Sequence, residues 1–199
     1  RRTAGKMNEG KGSMAQADLL ENGIEEFRKA YDREPGFAAF APGRVNLLGG
    51  HTDYNEGLVL PIAIEQRIYT LGAHRDDGIV RARSAQVGSP VEFEIDSPKP
   101  LGRWDDPIKG ALALLVEKGG RIDGADLLFT GDVPLEAGLS SSAAFTVSAL
   151  LALSRAAGVD LSPVELALSA QRVENEFMGV PCGILDQMAS ATGRAGHAL

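Results

Sequence analysis

The chain has a single cysteine, Cys182, among its 199 residues. No disulfide can form within it, and a lone thiol gives no sign of an oxidising compartment. Histidine is almost as scarce, with three in all. His51, the one set in a polar loop, has no His or Cys partner at metal-ligand spacing, which argues against a transition-metal centre. Basic residues are outnumbered, 20 Lys and Arg against 27 Asp and Glu, for a net charge of −7. A nucleic-acid partner, which asks for a basic face, is not expected. No apolar run approaches the roughly 20 residues needed to cross a bilayer. No secretory-type apolar segment stands near the first residues either, so the expectation is a cytoplasmic protein with no membrane partner. Also missing is Gly-x-x-x-x-Gly-Lys-Ser/Thr, so any phosphate would be held by something other than a P-loop.

What is present is an ordinary globular composition, 44% hydrophobic and 24% charged. There is no repeat, low-complexity segment or interdomain linker. Residues 14–199 are expected to form one α+β domain behind a disordered leader, 1–13, in which Gly5, Gly10 and Gly12 interrupt any pattern. Residues 13–32 place Leu19, Leu20, Ile24, Phe27 and Tyr31 at helical spacings of three and four. Residues 37–48 read as extended, and a second apolar stretch follows at 58–64. The runs 67–74, 79–84 and 91–95, separated by short turns, predict an antiparallel meander. Residues 107–118 predict a helix after a proline-rich loop, 96–106, that holds the only tryptophan, Trp104. Ser162-Pro163-Val164-Glu165 is a capping box with Pro at the first helical position, so a helix starts there and is expected to run to Gly179.

Two loops have the residue types for ligand chemistry. Residues 134–144 read Pro-Leu-Glu-Ala-Gly-Leu-Ser-Ser-Ser-Ala-Ala and pass into an apolar run that predicts a buried helix. The first turn of such a helix leaves N–H groups unpaired and carries partial positive charge, which stabilises an anion. Gly138 permits close backbone approach, and Ser140, Ser141 and Ser142 add donors or a hard metal ligand. A Ser-capped core helix is the alternative. The other loop, Gly49-Gly50-His51-Thr52-Asp53-Tyr54-Asn55-Glu56-Gly57, lies between two apolar stretches, where ligand contacts tend to sit. It could equally be a solvated turn. Standing alone, Asp186 reads as a helix N-cap, Glu174 as a solvated helix residue, Arg44 as a surface ion-pair member and Cys182 as a small packing residue.

Three segments together carry a resemblance. Ala41-Pro42-Gly43-Arg44-Val45-Asn46-Leu47-Leu48-Gly49, continuing into His51-Thr52-Asp53-Tyr54-Asn55, resembles the galactokinase signature. Residues 134–144 resemble the phosphate loop of the GHMP kinase superfamily. Glu174-Asn175-Glu176-Phe177 followed by Gly183-Ile184-Leu185-Asp186-Gln187 is similar to the metal and catalytic segment of galactokinases. The resemblance implies a GHMP kinase N-terminal domain, ribosomal protein S5 domain 2-like, with a mostly antiparallel sheet packed against helices. It also implies transfer of the γ-phosphoryl of ATP to the anomeric hydroxyl of galactose or a close sugar. By position, Glu136, Ala137, Gly138, Leu139, Ser140, Ser141 and Ser142 would wrap the nucleotide phosphates, and Ser142 and Glu174 would hold Mg²⁺. Asp186 would face the sugar hydroxyl as base or as orienting charge, with Arg44 beside it. Gly50, His51, Thr52, Asp53 and Gly183 would line the sugar site.

This sequence departs from the family pattern twice. Gly50 stands where galactokinases carry Glu, so one acceptor for a sugar hydroxyl is missing. The family's chains are also nearly twice as long, with a second domain that closes over the nucleotide. The expectation is therefore an N-terminal portion whose cleft and sheet edge are open, poorly active alone and prone to associate. A sugar-binding regulator or pseudokinase on the same fold, or an inactive fragment, is the alternative. The sequence does not bear on oligomeric state.

Overall fold

The computed structural model describes residues 6–49, 52–55, 57–96 and 98–199. Its framework is a five-stranded sheet in the order β1-β2-β5-β3-β4. The strands are β1 (Phe37–Asn46), β2 (Pro61–His74), β3 (Ile79–Ser84), β4 (Val91–Glu94) and β5 (Ala125–Gly131). Every pairing is antiparallel except β3 with β5. The apolar stretch 67–74 and the second half of 58–64, from Pro61, are parts of one fourteen-residue strand, β2.

The expected meander is corrected here. β2 and β3 are consecutive in sequence but not adjacent in space, because β5 enters between them. The cause lies in β5 itself, whose residues Ala125 to Thr130 are all buried. A strand covered on both faces belongs at the centre of a sheet. β5 also brings in Asp126, fully buried, whose charge is met by Arg81 at 2.7 Å, Arg75 at 3.2 Å and Arg33 at 3.6 Å.

Five helices cover the sheet: α1 (Lys6–Tyr31), α2 (Asp106–Glu117), α3 (Ser141–Ala156), α4 (Pro163–Arg172) and α5 (Leu185–Thr192). α1 starts at Lys6, so part of the segment expected as a disordered leader, 1–13, is helical. Once a helix is nucleated, each further residue adds a backbone hydrogen bond at little cost, which carries it past Gly10 and Gly12. One face of the sheet packs on α1 through Phe27, Leu71, Ala73 and Leu128. The larger core lies on the other face, where α2, α3 and α4 meet β3 and β5 through residues such as Ile108, Leu115, Leu127, Leu150 and Leu153. There Phe129 stacks on Phe145, with ring centroids 4.2 Å apart.

α2 opens on a buried charge cluster. Asp105, Asp106 and Lys109 are 0%, 2% and 3% exposed. Lys109 Nζ lies 2.7 Å from Asp105 Oδ2 and 3.2 Å from Asp106 Oδ1. Asp106 Oδ2 accepts the backbone N–H groups of Leu101 and Arg103 at 2.9 and 3.1 Å, tying the preceding loop to the helix. The capping box that opens α4 forms in both directions between Ser162 and Glu165. α4 does not run on as α-helix to Gly179: it passes into one turn of π-helix, Val173–Phe177. Such turns interrupt helices most often at functional sites, and this one carries Glu174. Among the described residues no helix is long and apolar enough to cross a membrane.

Candidate active site

β1 is an edge strand, and its regular pairing with β2 is broken between Pro42 and Arg44. The loop before α3 docks at this bulge. A Cβ on Gly43 would stand 2.7 Å from the carbonyl oxygen of Leu139, so only glycine allows the approach. Arg44 then closes on the loop from two sides, its backbone N–H donating to Leu139 O at 3.1 Å and its Nη1 to Gly138 O at 2.7 Å. α5 is anchored to the same strand by Ser190 Oγ, which donates to Pro42 O at 2.7 Å.

These attachments bring Asp186, in the first turn of α5, against Arg44. Asp186 Oδ1 accepts from Arg44 Nε at 2.7 Å and lies 2.6 Å from Nη2. Asp186 Oδ2 accepts a short hydrogen bond from Ser140 Oγ. The N-cap of α5 is Ile184, so Asp186 is not the cap that it resembles when read alone. Ser140 likewise occupies the N-cap of α3 without capping it, because its hydroxyl is given to Asp186. Both side chains are committed to each other rather than to their helices.

The phosphate-loop segment has left-handed backbone at alternate residues: Glu136, Gly138 and Ser140 have φ of 57°, 69° and 57°. Alternation of left- and right-handed residues turns successive N–H groups into a concavity suited to an anion. It leads directly into the N-terminus of α3, a sixteen-residue helix. A cleft of about 640 Å³ runs between this loop, β1 and the start of α5. Of the residues singled out from sequence, Arg44, Asp53, Ala137, Gly138, Leu139, Gly183 and Asp186 line it. Glu136, Ser140, Ser141, Ser142, Thr52 and Glu174 do not. Ser141 and Ser142 form the first turn of α3, whereas Glu136 is exposed. Gly50 and His51 lie outside the described residues.

On the far side of the cleft, Asp53 Oδ2 accepts the N–H of Leu185 at 3.0 Å. Gly183 packs against the same carboxylate so closely that a Cβ there would fall 1.8 Å from Oδ2. The Thr52 hydroxyl shares its proton between Gly49 O at 2.8 Å and Leu58 O at 3.0 Å, shaping the turn. Gly183→Ala should therefore push Asp53 off Leu185 and cost about 1 kcal/mol or more of stability, the equivalent of one hydrogen bond. Thermal unfolding with amide hydrogen exchange at Leu185 will check this; unchanged protection of that N–H would contradict it.

Glu174 sits behind the cleft wall, 6% exposed, and its Oε1 has no hydrogen-bond partner among the described residues. Burial raises the proton affinity of this carboxyl above the usual carboxylate range, and the charge of Asp186 adds to the effect. Gln187, Thr146 and Cys182 act in the opposite direction as nearby donors. Ser142 lies one turn before Thr146 on α3, the two linked by the Thr146 hydroxyl donating to Ser142 O at 3.1 Å. No group of three or more His, Cys, Asp or Glu side chains among the described residues is arranged as a metal site. An orphaned carboxylate oxygen, with the Asp186 carboxylate close enough to act on it, nevertheless fits Mg²⁺, which takes hard oxygen ligands and few of them from protein.

Sequence reasoning gave no role to Asn46 and treated Cys182 as packing, yet both line the cleft. Cys182 is held by Asn175, whose Oδ1 accepts the Cys182 N–H at 2.8 Å and lies 3.2 Å from Sγ. Burial, with Glu174 nearby, pushes the thiol pKa up to about 11, so it is no nucleophile at neutral pH. The signal for its place was its position between two candidate carboxylates.

Residues 25–74 match the galactokinase galactose-binding signature, and residues 106–194 match the N-terminal domain of GHMP kinases. Among solved structures, Lactococcus lactis galactokinase complexed with galactose is 33% identical, with a TM-score of 0.82 over 90% of this chain and 48% of that one. A putative sugar kinase from Campylobacter jejuni is 28% identical, with a TM-score of 0.64, covering 79% and 50%. Methanococcus jannaschii mevalonate kinase, at 20% identity and a TM-score of 0.66 over 78% and 51%, shares the fold. The chain spans about half the length of these proteins.

Proposed function

Since the chain belongs to the GHMP kinases, as the N-terminal domain of a galactokinase-like member, we propose that it takes part in moving the γ-phosphoryl group of ATP to the anomeric hydroxyl of galactose or a close sugar. The observation that carries this reading is Asp186, clamped between Arg44 and Ser140 at the junction of an anion-shaped loop and a cleft that also presents Asp53. Phosphoryl transfer needs positioning and charge stabilisation more than covalent chemistry. The loop backbone and the α3 N-terminus supply donors for the nucleotide phosphates. Asp186 accepts or orients the sugar hydroxyl proton, while Arg44 fixes Asp186 and offsets negative charge as the phosphoryl group passes. Asp53, held by Leu185, is placed to accept from sugar hydroxyls. Ser142 and Glu174 would hold Mg²⁺, which supplies neutralisation of phosphate charge when bound.

An ADP-release assay over galactose and its epimers tests the proposal. Turnover with galactose or one epimer supports it; sugar-independent ATP hydrolysis, or none with any sugar, would overturn it. Gly50 adds a second prediction. Gly50→Glu should tighten galactose binding about tenfold by restoring an acceptor for a sugar hydroxyl. Calorimetric titration will read this directly, and an unchanged Kd would mean that residue 50 does not face the sugar.

A further inference from the structure

Asp186 and Gln187 are neighbours on α5 that face opposite ways. Asp186 looks into the cleft, whereas Gln187 is 1% exposed and turns inward behind it. Buried amides are costly unless paired, and this one is paired on one side only. Its Nε2 donates to Cys182 Sγ at 3.4 Å, and its Oε1 has no hydrogen-bond partner among the described residues. Cys182 Sγ in turn lies 3.6 Å from Glu174 Oε2. The donor end of the amide therefore faces the side where Cys182 and the Glu174 carboxylate lie, at the expense of an unsatisfied carbonyl. Turned round, the amide would set its carbonyl against an anion, which is worse.

We infer that Gln187 is a positioning residue for the Glu174 carboxylate: with Thr146 and Cys182 it presents donors to that carboxylate, and Oε1 is left without a hydrogen bond and open to a cation. The assignment rests on the proposed reading of Glu174 as a Mg²⁺ ligand and extends it to a residue behind the ligand. Three features carry it. Glu174 stands on a π-helical turn, a distortion found frequently at functional sites. Cys182 Sγ lies 3.6 Å from Oε2, while Oε1 has no hydrogen-bond partner among the described residues. Gln187 directly follows Asp186, so one short helix sets the position of both carboxylates relative to each other. Groups that orient a metal ligand from behind are worth about 10- to 100-fold in metal affinity.

Gln187→Met keeps the length and shape of the side chain and removes its donors. Mn²⁺ in place of Mg²⁺, titrated in the presence of ATP and followed by electron paramagnetic resonance, reads binding without turnover. The expected result is a 10- to 100-fold weaker Mn²⁺ Kd in the variant, with the sugar Kd within about twofold of wild type. Should Gln187→Met fail to fold, Gln187→Asn draws the amide back by one methylene and serves the same comparison. Equal Mn²⁺ affinity in a folded variant and wild type would overturn the role of Gln187 alone. Absence of Mn²⁺ binding by wild type would overturn the reading of Glu174 and this inference with it.

Discussion

Asp186→Asn is expected to lower kcat about 10³-fold while leaving the KM of ATP within about threefold. The asparagine keeps the shape: its carbonyl can still accept from Arg44 while its NH2 donates to Ser140 Oγ, so the clamp of loop, β1 and α5 survives. It loses the negative charge that Arg44 holds with two nitrogens at 2.7 and 2.6 Å and that would receive or orient the sugar proton. An effect confined to the transition state reduces kcat and kcat/KM together. A fall in ATP affinity of similar size would instead make Asp186 a structural tie for the loop. Steady-state kinetics alongside nucleotide binding to the variant separates the two.

The second large effect is on stability. Lys109→Met should cost about 3–5 kcal/mol, because it leaves Asp106 buried without its cation and Asp105 with only the half-exposed Arg103 at 2.9 Å. For a domain of this size that is a fall in Tm on the order of 10 °C. The pH dependence gives the effect its signature. Burial acts to raise the proton affinity of Asp106, but the N–H groups of Arg103 and Leu101, with Lys109, outweigh it and hold the carboxyl below its usual range. A depressed value means stability that is present above pH ~4 and lost as pH falls through the folded value. Lys109 is one of the groups that hold the carboxyl there, so the variant has less of this stability to lose. The gap in Tm should therefore hold from pH ~7 to pH ~4 and narrow as the pH falls further, towards pH ~2. Calorimetric scans across that range check it, and a constant gap would show that lost packing, not charge, is responsible.

Much of the site was legible because its parts are local. The capping box at Ser162, the loop ahead of α3 and the segment from Glu174 to Asp186 are each short patterns whose chemistry is readable residue by residue. Their convergence was legible only through the resemblance, since Arg44 and Asp186 stand 142 residues apart. What stayed hidden depended on long-range pairing. Alternation predicts strands but not their neighbours, so the entry of β5 between β2 and β3 replaced the expected meander. Asp126, a carboxylate in an otherwise apolar strand, needs Arg33, Arg75 and Arg81 from other elements before it makes sense there. Lys109 and Asp105 look like surface residues at a loop–helix boundary, and only tertiary burial turns them into a core ion cluster. The hydroxyl of Thr52 illustrates the limit within the site: its residue type gives no hint that it also ties the turn through Gly49 O and Leu58 O.

Asp186, Arg44 and the loop before α3 are proposed to form a phosphoryl-transfer site directed at the anomeric oxygen of a sugar. Incubation of the chain with ATP, Mg²⁺ and galactose, followed by phosphorus NMR of the products, tests it most directly. A phosphorus resonance coupled to the anomeric proton, absent when Asp186→Asn replaces wild type, is the predicted result. Phosphate on any other hydroxyl, or the same product from the variant at an undiminished rate, would contradict it.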